Sequence, residues 1–414
     1  MNKGNEVRGE IGSLLDPQDL QRDYEGQLFY NSKNIQSWVD ESVNVSLLLE
    51  TISIQTQSNY AISLRNFQKW FNESRADKLG IDDIMLLDTK VLTLTIMKWV
   101  SHLKKINNPN SIPTKMAALK SLCEMSDVLL NWKKINKMFP RKTKLTGQTK
   151  WETDEIRKML DVTSKLVQRA LILIFCSTGC RIGGLAGIQV KDISDWAHTK
   201  GNSPGTGINV FEKHGCKTVH VYSGDDEEYT TFLTPEAANA VDIFLEYRKT
   251  KGEVISPESY LFNSRWDKNR PQSRSSIDMM VQRIVEKAGV RGTKKDGRYP
   301  TQLNHGFRKR FDTVLKENNN VNDNAIEKMM GHKKGLDGTY LQFTDEELFK
   351  HFINGVTSLT ISDDSRLKSE KVILEDKFAK TIDEVVAEER STDDDFKLRQ
   401  MINKEQRDQI KTDD

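Results

Sequence analysis

Between residues 208 and 234 the chain changes its hydrophobic rhythm. On either side of this stretch apolar residues recur every three or four positions, the period of an amphipathic helix. Inside it, GINVF, TVHVY and YTTFLT are short, β-branched and aromatic, and SGDDEE between the last two reads as a turn. One such island among helical segments sets the expected class as mainly α, an α+β chain in which helices carry a small antiparallel sheet.

A chain of 414 residues exceeds one comfortable core, since domains run to about 100–200 residues. Residues 1–44 are polar and weakly patterned, and read as an N-terminal arm. In SIQTQSNYAISLRNFQKWFNES, Tyr60, Leu64, Phe67 and Phe71 fall at helical spacing behind Ser/Thr capping residues. TKVLTLTIMKWVSHLKK and TKMAALKSLCEMSDVLLNWKKI continue the pattern, so a helical domain is expected over 45–138. Residues 139–150 combine Pro140 and Gly147 with Arg141, Lys142, Lys144 and Lys150, and read as a basic linker. A larger domain, 151–358, opens with ETDEIRKMLDVT and LVQRALILIFCSTG and encloses the island. Residues 359–414 are charged but keep Leu367, Leu374, Phe378, Ile382 and Val385, which fits either a helical tail used for oligomer contacts or a partly disordered one.

The net charge of +2 conceals an uneven distribution. Residues 101–150 carry 11 Lys/Arg against only Glu124 and Asp127. A concentration of this kind in an otherwise balanced chain points to a polyanion, expected to be nucleic acid; a solvated helical surface is the plain alternative. No stretch approaches the roughly 20 apolar residues of a membrane span, and MNKGNEVRGEIGSLL lacks a secretion signal. The expected location is therefore intracellular, cytoplasmic and nucleoid-associated, with no membrane partner. Cys123, Cys176, Cys180 and Cys216 form no CxxC pair, which leaves a disulfide framework or zinc site without support. Cys176 and Cys180 are expected on one face of a buried helix.

LNHGFRKR, residues 303–310, sets His305 three positions ahead of Arg308, on one helix face, with two more cations close behind. Arg181 follows the breaker STGC after an apolar helix, His332 follows Gly331, and Tyr340 stands eight residues further on. Taken singly, each has a structural explanation: a surface or capping arginine, a salt-bridged pair, a helix cap, a packed tyrosine. The order and spacing of the set are far more specific. STGCRIGGLAGIQVKDI, LNHGFRKRF and MMGHKKGLDGTY resemble the three catalytic boxes of the tyrosine recombinase, or phage-type integrase, family. The segment 45–138 is similar to that family's SAM-like core-binding domain, and DDEEYTTFLTPEA and MGHKKGLDGTY are most like integrases of archaea and their mobile elements.

The resemblance implies a site-specific DNA recombinase. Negative charge spreads over the non-bridging oxygens of an attacked phosphodiester, and guanidiniums bind such oxygens in a forked geometry that lysine does not reproduce. Arg181 and Arg308 are thus implied to clamp the scissile phosphate. Tyr340, a phenol of reference pKa about 10, is the implied nucleophile, with His305 as base or orienting group and His332 as donor to the phosphate. A 3′-phosphotyrosyl link conserves the bond energy, so no metal, ATP or other cofactor is implied. The implied partners are double-stranded DNA and three further copies, a homotetramer on synapsed duplexes. Lys104, Lys105, Lys133, Lys134, Lys137, Arg141, Lys142 and Lys144 are expected to neutralise backbone phosphates as two domains close on the duplex.

The sequence departs from the family pattern in three places. The family's general-acid lysine lies on the turn between its second and third strands, and SGDDEE has none. Lys217 is chosen, with Lys213 and His214 as alternatives. Gly184 stands where many members carry an acidic residue, and eight residues separate His332 from Tyr340 where nine are commoner. Competing readings are a type IB topoisomerase or resolvase, a non-catalytic DNA-binding relative, and a metal-dependent nuclease built on Asp225, Asp226, Glu227 and Glu228. The last is weakened because that acidic run has no histidines at ligand spacing.

Overall fold

The apolar spacing that marks helices in the sequence becomes a set of buried helix faces. The computed structural model describes residues 33–142, 149–195, 214–294, 298–332, 342–378 and 381, and the chain divides into two compact units, 1–145 and 146–414. The first contains α1 (Lys33–Asp40), α2 (Val43–Glu50), α3 (Ile54–Asn72), α4 (Ile81–Met85), α5 (Thr89–Ile106), α6 (Ile112–Met125) and α7 (Trp132–Asn136). Ala61, Leu64, Phe67 and Phe71 form the buried face of α3, and Leu92, Ile96, Trp99 and Leu103 that of α5. Phe67 meets Trp99 edge-on at 5.8 Å between ring centroids. Trp38 and Val39 of α1 belong to the same core. The helical unit therefore begins before residue 45, because two apolar side chains on one turn anchor a segment whose polar composition reads as an arm.

The second unit contains α8 (Thr153–Asp161), α9 (Leu166–Thr178), α10 (Ile182–Gly187), β1 (Ile193–Asp195), β2 (Lys217–Val221), β3 (Tyr229–Leu233), α11 (Pro235–Thr250), α12 (Arg274–Lys287), α13 (Leu303–Lys316), α14 (Asp323–Met329) and α15 (Asp345–Leu359). Residues 170–178 of α9 are all buried. A helix that is apolar all round must be covered on every side, and α9 is packed by α11, α12, α13 and β3. The strands form an antiparallel sheet in the order β1-β2-β3, with Lys217 opposite Leu233 and Val221 opposite Tyr229. TVHVY and YTTFLT are thus strands as expected, while GINVF lies outside the described residues. The strand on the other side of β2 is Ile193–Asp195, a short segment without a strand signal in the sequence.

Two boundaries shift for physical reasons. Thr149, expected in the linker, bridges to Thr301, and its hydroxyl donates to the Pro300 carbonyl at 2.8 Å. Leu359 and Ile361, expected in the tail, are buried, and the Ile361 N–H donates to the Glu236 carboxylate at 2.8 Å. The chain is helical over 363–378, and Asp376 binds the buried His214 at 2.7 Å. Leu367, Leu374 and Phe378 are exposed on that helix; Ile382 and Val385 lie outside the described residues.

Candidate active site

Gly179 ends α9 in the left-handed region, φ 56°, and its N–H closes the last turn on the Phe175 carbonyl at 3.1 Å. The chain turns through Cys180 and delivers Arg181 as the first residue before α10, exposed and in extended conformation. Cys180 therefore lies beyond the helix that holds Cys176, a correction to the expected shared face, although both are buried. Gly184, where an acidic residue was noted as common, has a steric cause. A Cβ at that position would collide with the Val221 side chain, so β2 passes too close for any larger residue.

The HxxR segment is the first half of α13. Phe307, Phe311 and Leu315 face the core, with Phe307 stacked on Phe175 of α9 at 5.6 Å. The start of this helix is held by Trp151, fully buried, whose indole N–H donates to the Leu303 carbonyl at 2.8 Å. Gly306 allows that approach, since a Cβ there would meet the indole ring. Arg308 lies at the buried edge of that core face, and His305, one turn earlier, is exposed beside it. Partial desolvation, and then the charges of Arg308, Lys309 and Arg181, hold the His305 imidazole below the ordinary histidine range. Arg310, the last cation of the run, faces elsewhere. It is 1% exposed and bonds to the Ser358 carbonyl at 3.0 Å and the Thr153 hydroxyl at 3.3 Å, so its work is structural.

Arg308 is 5% exposed: Nη1 donates to the Gly179 carbonyl at 2.9 Å and Nη2 to the Met330 carbonyl at 2.6 Å. Nη2 also lies 2.6 Å from Nε2 of His332. Burial and the neighbouring charge of Arg181 lower its pKa, but a guanidinium stays charged throughout the accessible range. Arg181 reaches the same place from the other side, with Nη1 3.4 Å from the Gly331 carbonyl. Arg181, Arg308 and His332, from three separate stretches of the chain, thus gather around one helix end, and His305 stands one turn before Arg308 within reach of the charges of both arginines.

That end is built by a two-bond cap. Gly331 has φ 65°, its N–H donates to the Lys328 carbonyl at 2.9 Å, and the N–H of His332 donates to the Glu327 carbonyl at 2.9 Å. The glycine is needed twice over, because a Cβ would also strike the ring of Tyr229. The Tyr229 ring packs there with its hydroxyl buried, and burial drives the phenol's pKa well above its usual value.

Three neighbours of the site were not visible in the sequence. Tyr222, in the left-handed region at φ 58°, starts the β2–β3 turn. Burial raises its pKa, and the nearby cations Arg274 and Arg181 oppose the shift. Arg274, the first residue of α12, lies against the first turn of α10, where a Cβ on Gly183 would come 2.9 Å from its Cζ. Glu327 binds Nδ1 of His332 through Oε2 at 2.5 Å. Neither Arg274 nor Tyr222 carries a sequence signal, since each arrives through tertiary packing. Glu327 is five residues before His332, a separation that is not a helical neighbour pair and is closed only by the glycine reversal.

Lys217 is not brought to this cluster. It opens β2 and is paired with Asp242 of α11, whereas the cluster meets the other end of the strand at Val221 and Tyr229. Four residues of strand separate the two ends, about 13 Å at ~3.3 Å per residue. The β2–β3 turn is confirmed at 222–228 and contains no lysine; its acidic residues are exposed. Among the described residues, no three His, Cys, Asp or Glu side chains are grouped so as to hold a metal ion. Tyr340, Lys213 and Lys144 lie outside the described residues. Lys104, Lys105, Lys133, Lys134, Lys137, Arg141 and Lys142 are all exposed on the first unit, and none forms an ion pair with a described residue.

Residues 149–337, which hold every described member of the cluster, match the phage integrase family. Residues 149–337 thus form a phage integrase family domain. No curated protein matches the sequence. Among solved structures, the XerH site-specific recombinase bound to a palindromic difH substrate is similar at 16% identity and TM-score 0.49, over 77% of this chain and 86% of that one. The Tn1549 transposon integrase in complex with transposon right end DNA has 16% identity and TM-score 0.47, over 73% and 96%. A lambda integrase dimer bound to a COC' core site has 15% identity and TM-score 0.46, over 73% and 93%. This domain of the tyrosine recombinases supports site-specific recombination as the activity and DNA strand transfer as the enzyme class. No helix among the described residues is long and apolar enough to cross a membrane.

Proposed function

We propose that the protein is a site-specific DNA recombinase of a mobile element that cuts and rejoins strands through a 3′-phosphotyrosyl intermediate on Tyr340. The observation that carries this reading is the convergence of Arg308, Arg181 and His332 on the Gly331 turn. Two guanidiniums held close in a partly buried place, with no carboxylate bonded to either among the described residues, are arranged for an anion. Tyr340 follows His332 by eight residues, close enough in chain length for its phenol to reach that anion.

In the proposed step the phenol oxygen attacks the phosphorus and the bond to the 5′-oxygen breaks. The phenolic proton leaves to His305, whose depressed pKa keeps it an unprotonated acceptor near neutral pH. The 5′-oxygen takes up a proton from an acid at the site or from water. Arg181 and Arg308 stabilise the charge on the non-bridging oxygens. Attack by a 5′-hydroxyl reverses the step, so neither ATP nor a metal is required. Partners in this reading are double-stranded DNA, contacted by the exposed cations of the first unit, and a homotetramer on two synapsed sites. The protein would work in the cytoplasm, on nucleoid DNA.

A second reading, a non-catalytic DNA-binding relative, draws on the turn without a lysine and on the pairing of Lys217 with Asp242. One assay separates the two. A nicked suicide duplex from the DNA flanking the gene is incubated with the protein without magnesium or ATP, beside Tyr340→Phe. An adduct on the 3′ side of the break, absent in the variant, is expected; a DNA-bound protein that forms none would favour the binder.

A further inference from the structure

We propose that Glu327 is a positioning carboxylate for the reaction, one that fixes the tautomer of His332 and supplies the negative charge that lets its Nε2 take up a proton when a phosphate arrives. The inference rests on the reading of His332 as a phosphate donor. Arg308 Nη2 and His332 Nε2 are 2.6 Å apart. A guanidinium has donors only, so Nε2 must accept and the ring proton must sit on Nδ1. Nδ1 is 2.5 Å from Glu327 Oε2, which receives it. The main chain gives the same residue a second hold, since the His332 N–H donates to the Glu327 carbonyl. Ring and backbone of His332 are therefore both placed by one glutamate.

The charges facing this pair define what it does. Glu327 is 14% exposed, and its other oxygen lies 2.9 Å from Lys316 Nζ, which also binds Asp312 at 2.6 Å. Arg308 faces the imidazole from α13. With Arg308 bonded to Nε2, the histidine is neutral and has no proton to give a phosphate. A phosphodiester that captures the Nη2 donor frees Nε2. A proton taken from solvent then produces an imidazolium held between the Glu327 carboxylate and the phosphate oxygens, and Nε2–H donates to a non-bridging oxygen. Without the carboxylate, that cation would stand beside Arg308 and Arg181 with only the phosphate to balance it.

The test uses the full chain and the suicide duplex under single-turnover conditions, comparing wild type, Glu327→Gln, His332→Gln and the double variant. Glu327→Gln is expected to bind the duplex as wild type does and to slow adduct formation by about 10-fold to 100-fold, as loss of a residue that orients an active-site histidine does. In the His332→Gln background the same change is expected to add less than about twofold, because the two residues act as one unit. Equal losses in both backgrounds, or a single variant that cleaves at the wild-type rate, would overturn the proposal. A wild type that binds but forms no adduct defeats the Tyr340 reading instead, and a measurement independent of cleavage then decides. Nitrogen-15 NMR of the imidazole should show the Nδ1–H tautomer in the free wild-type protein, with the Nδ1 proton signal moved in Glu327→Ala by loss of its acceptor; an Nε2–H tautomer in the wild type, or an Nδ1 signal unmoved in the variant, overturns the proposal.

Discussion

Arg308 donates to the carbonyl of Gly179 at 2.9 Å and thereby ties the helix that carries it to the turn that carries Arg181. The same guanidinium holds Met330 and His332, so one side chain fixes the spacing between all three pieces of the site. Its donors leave from two nitrogens in a planar fork, and the single ammonium nitrogen of a lysine cannot sit at both the Gly179 side and the Met330–His332 side at once. Arg308→Lys is expected to lower the rate of adduct formation by about 10²–10³-fold while gel-shift affinity for the duplex changes little. Retention of wild-type cleavage would remove Arg308 from the phosphate site.

Gly331→Ala should damage fold and site together. The residue sits at φ 65° and an added Cβ meets the Tyr229 ring. A left-handed non-glycine residue costs about 1–2 kcal/mol, and the collision adds more. A fall in thermal midpoint of at least roughly 4 °C is expected by calorimetry, with cleavage lost because His332 is the next residue. A variant of unchanged midpoint would show that the turn relaxes without cost.

Much of this site was legible before any fold was known. His305 and Arg308 obey helical spacing, and a glycine ahead of His332 announced a helix end. Legibility failed where contacts depend on reversal or on strand polarity. Glu327 meets His332 only because the chain folds back through Gly331. Lys217 is near the hairpin in sequence, yet it starts β2, and the site lies where that strand ends. Arg310 follows Arg308 by two residues, which turns it about 200° around the helix and into the core, so a run of cations divided into one for the site and one for packing. Trp38 shows the same limit at the other end of the chain: one buried ring outweighs a polar composition.

The four free cysteines should be inert in the folded protein. Burial pushes the thiols of Cys123 and Cys176 up to about 12 and that of Cys180 up to about 11, and raises Cys216 further still. The thiolate is the reactive species, so labelling by a disulfide reagent at mildly alkaline pH is expected only after guanidinium is added. Rapid native labelling of Cys180, the one beside Arg181, would mean that the turn opens in solution.

The depressed pKa of His305 fixes a sign for pH dependence. Where the folded pKa lies below the unfolded value of about 6.5, the unfolded state binds more protons between the two, so stability rises with pH across that window and falls on acidification. His305→Gln should flatten that part of the stability profile. In NMR titrations the His305 ring of the free protein should titrate below the ordinary histidine value and move upward when DNA is bound, since a phosphate favours the charged ring. A midpoint above the ordinary value in the free protein would contradict the cationic surroundings described for it.

The exposed cations of the first unit give a prediction that concerns binding alone. Lys133, Lys134 and Lys142 are solvent-facing, so their removal should leave folding intact. If they neutralise DNA phosphates, each releases about one counterion, and the log–log slope of affinity against salt should fall by about one unit for Lys142→Ala and about two for the Lys133→Ala/Lys134→Ala pair. The loss should be the same for any duplex sequence, because phosphate contacts carry no base information. Fluorescence anisotropy across a salt series measures both quantities. An unchanged slope would return this run of charge to the plain alternative, a solvated helical surface, and would move the duplex onto other cations of the protein.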